Sequence, residues 1–203
     1  MTIWVKICGL TTREAVEAAV AAGADAIGFV FAPSKRQVTA TQAVQLAQGL
    51  PRRIPRVAVM LHPTQSQLDE VWGEFRPDVL QTDVEDLQRL KVPMGLAVMP
   101  VIRTGVRLKP DPHHSHQRLL FEGPVSGVGS TSDWNSAAQL ARTTQLVLAG
   151  GLNATNVADA IAAVRPFGVD VSSGVEASPG IKDPARIHEF VRRARAAANG
   201  AGR

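Results

Sequence analysis

Eight short apolar runs punctuate the 203 residues, and nearly every one is followed by a polar helix-start signal and then by apolar residues at helical spacing. The runs are residues 3–7, 26–31, 56–61, 79–81, 95–99, 118–121, 145–149 and 168–171. Thr11-Thr-Arg-Glu14, Thr39-Ala-Thr-Gln42 and Thr64-Gln-Ser-Gln67 read as capping boxes, in which two side chains satisfy free amides at a helix start. Asp83, Asp133 and Asn153 read as further caps, and Asp183-Pro184 as a cap followed by a first-turn proline. Stripes such as Leu68, Val71, Trp72 and Phe75, or Ile187, Phe190, Val191 and Ala194, mark the inner helix faces. The nearly continuous apolar stretch 26–31 suits a parallel strand buried on both faces.

Strand–helix alternation implies a parallel sheet with right-handed crossovers. Eight strands and about seven main helices in this length fit an α/β fold, a compact (β/α)8 TIM barrel, whose lower size limit is roughly 200 residues. An open doubly wound sheet is the alternative, but no Gly-x-Gly-x-x-Gly fingerprint follows the first run. Residues 103–116 contain proline and histidine and lack a helical stripe, which predicts a loop or a degenerate fifth helix. No linker interrupts the pattern, so residues 1–203 read as one barrel domain.

Composition narrows the function. Hydrophobic residues are 45% and charged residues 20%, which is ordinary for a globular chain and excludes disorder. A single cysteine rules out an internal disulfide and suits a reducing cytoplasm. Lys6 interrupts the first apolar stretch, so no signal peptide is expected, and the apolar stretch 92–102 contains two prolines and is too short for a membrane span. The net charge of +4 is open to nucleic acid, an anionic small molecule or neither, and few aromatics and no tyrosine argue against a base-stacking surface for nucleic acid.

In such a barrel the chemistry sits at the carboxyl ends of the strands. Those ends carry Cys8, Arg36, His62, Gln81 with Asp83, Arg103, Glu122, Gly150-Gly151 and Ser172-Ser173-Gly174. Glycine lets backbone approach an anion, and turn amides point at it, so the turns after strands seven and eight read as a phosphate seat. Cys8 and Glu122 would be a base and acid flanking a substrate, and Arg36 a bidentate clamp for a carboxylate. A lone cysteine also packs as a small hydrophobe, and Glu122 and Arg36 are open to reading as surface charges. His62, His113, His114 and His116 invite a metal reading, but the cluster at 113–116 lies in a weakly structured loop without carboxylates at ligand spacing, so no metal site is expected.

Several segments resemble one family over nearly the whole chain. Lys6-Ile-Cys-Gly-Leu-Thr11, Ala26-Ile-Gly-Phe-Val-Phe31, Ser34-Lys-Arg36, Asp133-Trp134, Leu148-Ala-Gly-Gly-Leu-Asn153, Val169-Asp-Val-Ser-Ser-Gly-Val-Glu176 and Ser178-Pro-Gly-Ile-Lys-Asp183 are similar to phosphoribosylanthranilate isomerase of tryptophan biosynthesis. The resemblance implies an Amadori rearrangement of an anthranilate-bearing phosphosugar, without metal or organic cofactor. It implies Cys8 as base, Arg36 on the anthranilate carboxylate, and the amides around Gly150, Gly151, Ser172, Ser173 and Gly174 on the phosphate. It also places Asp170 near the substrate, where a structural role at the strand end is equally open.

Three departures stand out. The family acid is normally aspartate, and the matching position here is Glu122. The family often reads Gln-Leu-His-Gly after strand four, where this chain has Gln81-Thr-Asp-Val84. The loop after the acid is less glycine-rich, which affects its movement over a substrate. Rival readings are indole-glycerol-phosphate synthase, which needs strand-end lysines beyond Lys6, a ribulose-phosphate epimerase, which needs metal ligands, and a phosphosugar binder without catalysis. Partners are expected to be the phosphosugar substrate alone, with neither nucleic acid nor membrane, and the chain is compatible with a homodimer.

Overall fold

The helix starts follow from local chemistry. Thr39 and Thr64 each accept a hydrogen bond from the amide three residues on, while Gln42 and Gln67 accept from the amide of the cap, forming two of the three expected boxes. Asp133 accepts from the amides of Asn135 and Ser136, and Asp183 from those of Ala185 and Arg186. The computed structural model describes residues 2–103, 118–123 and 133–200. In chain order the elements are β1 (Trp4–Cys8), α1 (Arg13–Ala21), β2 (Ala26–Val30), α2 (Ala40–Ala47), β3 (Arg56–Val59), α3 (Gln65–Glu74) and β4 (Val79–Asp83). A short 3-10 turn (Asp86–Gln88) leads to β5 (Ala97–Arg103) and β6 (Arg118–Glu122). Then come α4 (Trp134–Ala141), β7 (Gln145–Leu148), α5 (Val157–Val164), β8 (Gly168–Val171), β9 (Glu176–Ser178), β10 (Ile181–Lys182) and α6 (Pro184–Gly200).

Strands β1 to β8 are all parallel and close into a barrel in sequence order, sealed by β1 against β8 with Lys6 opposite Asp170. β9 and β10 form a separate antiparallel hairpin. The expected (β/α)8 class is therefore the observed one. Strand alternation sorts the core into two layers. Val5, Ile7, Ile27, Phe29, Leu80, Phe121, Leu146, Leu148 and Val169 pack outward against the helices. Ala26, Val57, Met99, Val101, Leu120 and Val147 fill the barrel interior. At the amino-terminal end Trp4 and Phe167 close the floor with Arg118 over both rings, 5.2 and 4.7 Å from their centroids. Continuing the inward parity toward the carboxyl ends brings Lys6, Cys8, Gln81, Asp83, Arg103, Glu122 and Asp170 into the interior.

Four local expectations need correction. Thr12, not Thr11, caps α1; Thr11 instead donates 3.0 Å to the carbonyl of Gly180, so a hairpin far along the chain takes the first threonine. Asp83 caps no helix, because its carboxylate is taken by Arg103, and the short turn after Glu85 has no side-chain cap. β5 begins at Ala97 and runs to Arg103 rather than over residues 95–99; Gly95 turns at φ +89° and pairing with β4 and β6 sets the register. Asn153 shapes a turn by accepting from the amides of Thr155 and Asn156, and α5 starts only at Val157. Among the described residues there are six α-helices rather than about seven. The degenerate fifth helix, His113, His114 and His116, and most of the loop 123–132 lie outside the described residues. Among those described, no helix is long and apolar enough to cross a membrane.

Candidate active site

A cavity of about 330 Å³ opens at the carboxyl end of the barrel. Cys8, Arg36, Glu122, Gly150, Gly151, Asp170, Ser172 and Ser173 all border it, as do Gln81, Asp83 and Arg103. Eight of the nine expected site residues thus meet at one space, delivered by β1, β2, β6, β7 and β8 or the turns after them. The ninth, Gly174, is not among the bordering residues.

Cys8 is buried, 6% exposed, on the last residue of β1. Burial pushes its thiol up, and the Lys6 ammonium pulls in the opposite direction without cancelling it. Lys6, two residues earlier, shares the inward parity and is fully buried. Its Nζ lies 2.7 Å from Oδ1 of Asp170 on β8. Burial disfavours that ammonium, but the negative charge of Asp170 and the neighbouring Cys8 outweigh it, so Lys6 stays above the ordinary lysine value.

Across the ring, Glu122 ends β6, three strands from Cys8 by way of β7 and β8. Arg103 Nη1 approaches Glu122 Oε2 at 3.4 Å, and the same guanidinium holds Asp83 with Nη2 at 2.7 Å and Nε at 3.2 Å. Asp83 stands where the resembled family often has histidine, and here that place is used for an ion pair. Just outside, the His62 ring lies 3.0 Å from Asp86, which also accepts from Thr82 at 2.7 Å and pairs with Arg89. His62, Asp83 and Asp86 offer ligand atoms within 4.8 Å of one another, but both carboxylates already carry an arginine.

The two amide-rich turns pack directly together. Gly150 and Gly151 have φ of +88° and +64°, a left-handed pair that side-chain-bearing residues rarely adopt. Asn156 donates 2.9 Å to the Gly151 carbonyl and fixes that turn. Gly174 pairs with Asn153, and a Cβ on it would stand 1.9 Å from the Leu152 carbonyl oxygen. Its missing side chain is what lets the turn after β8 lie against the turn after β7.

Arg36 is held by a partner that the sequence did not point out. Glu176 accepts from its Nε at 2.6 Å and its Nη2 at 3.0 Å, a bidentate pair. The buried Lys182 donates to Glu176 at 2.7 Å and also to the carbonyl and hydroxyl oxygens of Ser172, at 2.9 and 3.2 Å. Burial works against the Glu176 carboxylate, but Arg36 and Lys182 together hold its pKa down at about 2. Burial depresses Lys182, and Glu176 compensates only in part. The β9–β10 hairpin, which carries Glu176 and Lys182, therefore ties the Arg36 loop to the Ser172 turn.

Comparison with known proteins meets this geometry. The model of the family "N-(5'phosphoribosyl)anthranilate (PRA) isomerase" matches residues 5–193. The chain belongs to this family. It is an isomerase of the tryptophan-biosynthesis type. The N-(5'-phosphoribosyl)anthranilate isomerase of Streptococcus pneumoniae (strain Taiwan19F-14) is 41% identical over 189 residues, covering 93% of this chain and 94% of that one. A solved phosphoribosyl anthranilate isomerase in complex with reduced 1-(o-carboxyphenylamino)-1-deoxyribulose 5-phosphate superposes with a TM-score of 0.79 at 31% identity, over 96% of this chain and 99% of that one. A Thermotoga maritima structure, described as mutually generated monomers of a dimeric isomerase, gives 0.80 at 32% identity, over 96% and 99%.

The sequence of this isomerase left the direction of Lys6 open, and Glu176, Lys182 and Asp83 were not singled out as ion-pair partners. Lys6 had a signal available: it sits two residues from Cys8, and strand alternation puts both on one face. Glu176 and Lys182 stood inside the recognised motifs, but nothing local names their partners.

Proposed function

We propose that the chain catalyses the Amadori rearrangement of N-(5-phosphoribosyl)anthranilate to 1-(2-carboxyphenylamino)-1-deoxyribulose 5-phosphate, with Glu122 as general acid and Cys8 as general base. Glu122 protonates the furanose ring oxygen and the ring opens to an iminium. The Cys8 thiolate removes the proton from C2 of the ribose, giving an enolamine that tautomerises to the ketone. The amides around Gly150, Gly151, Ser172 and Ser173 hold the phosphate, with Gly174 keeping the two turns together. Glu176 takes the Nε–Nη2 edge of Arg36, so the anthranilate carboxylate meets the other edge of the guanidinium. Asp170, with Oδ1 on Lys6, borders the cavity and contacts the substrate there.

One observation carries this reading: a thiol and a carboxyl from strands across the ring border the same cavity as both turns. The cavity volume is within the usual range for small-ligand sites. The ligand named for the solved relative carries a carboxylate, an amino sugar and a phosphate, groups that suit Arg36, the Cys8 and Glu122 pair and the two amide-rich turns. The reaction couples ring opening to proton transfers and calls for no metal or organic cofactor. We further infer one barrel domain over residues 1–203, working in the cytoplasm on a phosphosugar, as a monomer or as a homodimer like the relative described as dimeric.

The test is turnover of freshly prepared substrate, followed by loss of anthranilate fluorescence. Cys8→Ala and Glu122→Gln should each lower kcat by about 10²–10⁴-fold while product binding persists. Near-wild-type kcat in either variant removes that residue from its role. Phosphate binding with unchanged fluorescence in the wild type defeats the enzymatic reading altogether.

A further inference from the structure

We propose that Lys6 is a positioning residue for Cys8: its ammonium, anchored inside the barrel by Asp170, is the counter-charge that favours the thiolate when the base ionises inside the barrel. This inference rests on the reading of Cys8 as general base and deepens it. Three geometric facts carry it. Lys6 is completely buried, and a buried ammonium is costly unless it is paired. It is paired to Asp170 at 2.7 Å across the seam between β1 and β8, where the two residues stand opposite in register. Gly28 on the neighbouring β2 shows how close Lys6 and Cys8 lie. A Cβ built there would sit 3.0 Å from Cys8 Sγ and 3.3 Å from Lys6 Nζ, so both atoms border the same small space.

An ammonium that only balanced Asp170 would be an expensive ornament, since replacing a buried ion pair by apolar side chains is often neutral or stabilising. What the pair adds is a fixed positive charge beside a sulfur that burial pushes toward the neutral thiol. The other charges facing Cys8 are Asp170 on β8, which opposes a thiolate, Lys182 on β10, which favours it, and Arg36 from the loop after β2. Glu122 borders the same cavity from β6. Lys6 is the only one of these on the same strand as Cys8, so the two move together.

Cys8 is the only cysteine, so alkylation of the whole protein reports on this one thiol. The experiment measures the iodoacetamide reaction rate of the full chain against pH for wild type, Lys6→Met and Asp170→Asn, with circular dichroism to show the fold. Lys6→Met should raise the alkylation midpoint by about one pH unit or more, a slowing of about tenfold at a pH below it. Asp170→Asn keeps a partner for Lys6 but removes the opposing charge, and should move the midpoint down. Opposite shifts are a result that mere loss of packing does not produce. The acid limb of kcat/KM should follow the alkylation midpoint in each variant.

An unmoved midpoint in folded Lys6→Met, or an upward shift in Asp170→Asn, overturns the inference. Should Lys6→Met not fold, the direction of the Asp170→Asn shift decides alone. If Cys8→Ala abolishes turnover while the alkylation profile ignores Lys6, only the role of Lys6 falls. If Cys8→Ala keeps its kcat, the base itself is lost and the inference goes with it, whatever the alkylation shows.

Discussion

Replacing Glu176 by glutamine tests the clamp behind Arg36. The carboxylate accepts from Arg36 at 2.6 and 3.0 Å and from Lys182 at 2.7 Å, and its side chain is 5% exposed. Glutamine keeps the shape and removes the charge, leaving Arg36 and Lys182 facing each other without an anion between them. The pKa of Glu176 falls from an ordinary 4.5 to about 2 in the folded chain. That depression corresponds to about 3 kcal/mol of stability. Arg36, one of its two partners, borders the open cavity, so solvent screening reduces the figure to roughly 2 kcal/mol. The sign follows from the depressed value. The contribution is fully present above about pH 4.5 and is lost as pH falls toward 2. Urea unfolding of wild type and Glu176→Gln should therefore differ by about 2 kcal/mol at pH 7. More than half of that difference should vanish by about pH 3. A difference that stays constant from pH 7 to pH 3 would refute the assignment, because it would mean that packing rather than charge holds the hairpin.

Two further variants probe the ends of the substrate. Arg36→Ala should mainly raise KM, by about tenfold or more, since a charge-assisted hydrogen bond contributes about 1.5–3 kcal/mol; an unchanged KM in steady-state assays would show that the anthranilate end binds elsewhere. Gly174→Ala places a methyl group 1.9 Å from the Leu152 carbonyl oxygen and must separate the two turns. Its expected result is a fall in inorganic phosphate affinity, read by competition against turnover, together with a lower Tm. Wild-type affinity would mean that the turns act independently.

The readable parts of the chain are those whose partners are near in sequence. The Thr39 and Thr64 boxes join residues three apart, and both formed as expected. The Thr11 box failed although its pattern was as good, because Gly180, 169 residues away, competes for the first threonine. The start of β5 was misplaced for a related reason: its register is set by pairing with β4 and β6, and its own side chains leave several starts open. Cys8, Glu122 and the two turns were legible as strand ends, because a closed parallel barrel sends all such ends to one rim.

The order of strands and helices, the inward parity of Lys6 and Cys8, and the family motifs are properties of the chain written out as a line, since each depends on spacings of a few residues. The ion pairs that give the site its electrical character are not. Lys6 meets Asp170 across 164 residues and Arg36 meets Glu176 across 140. Charge attraction has no sequence period, so any acid in the chain was a formal partner for either cation. Closure of β8 against β1 and the docking of the β9–β10 hairpin decide which acids they reach.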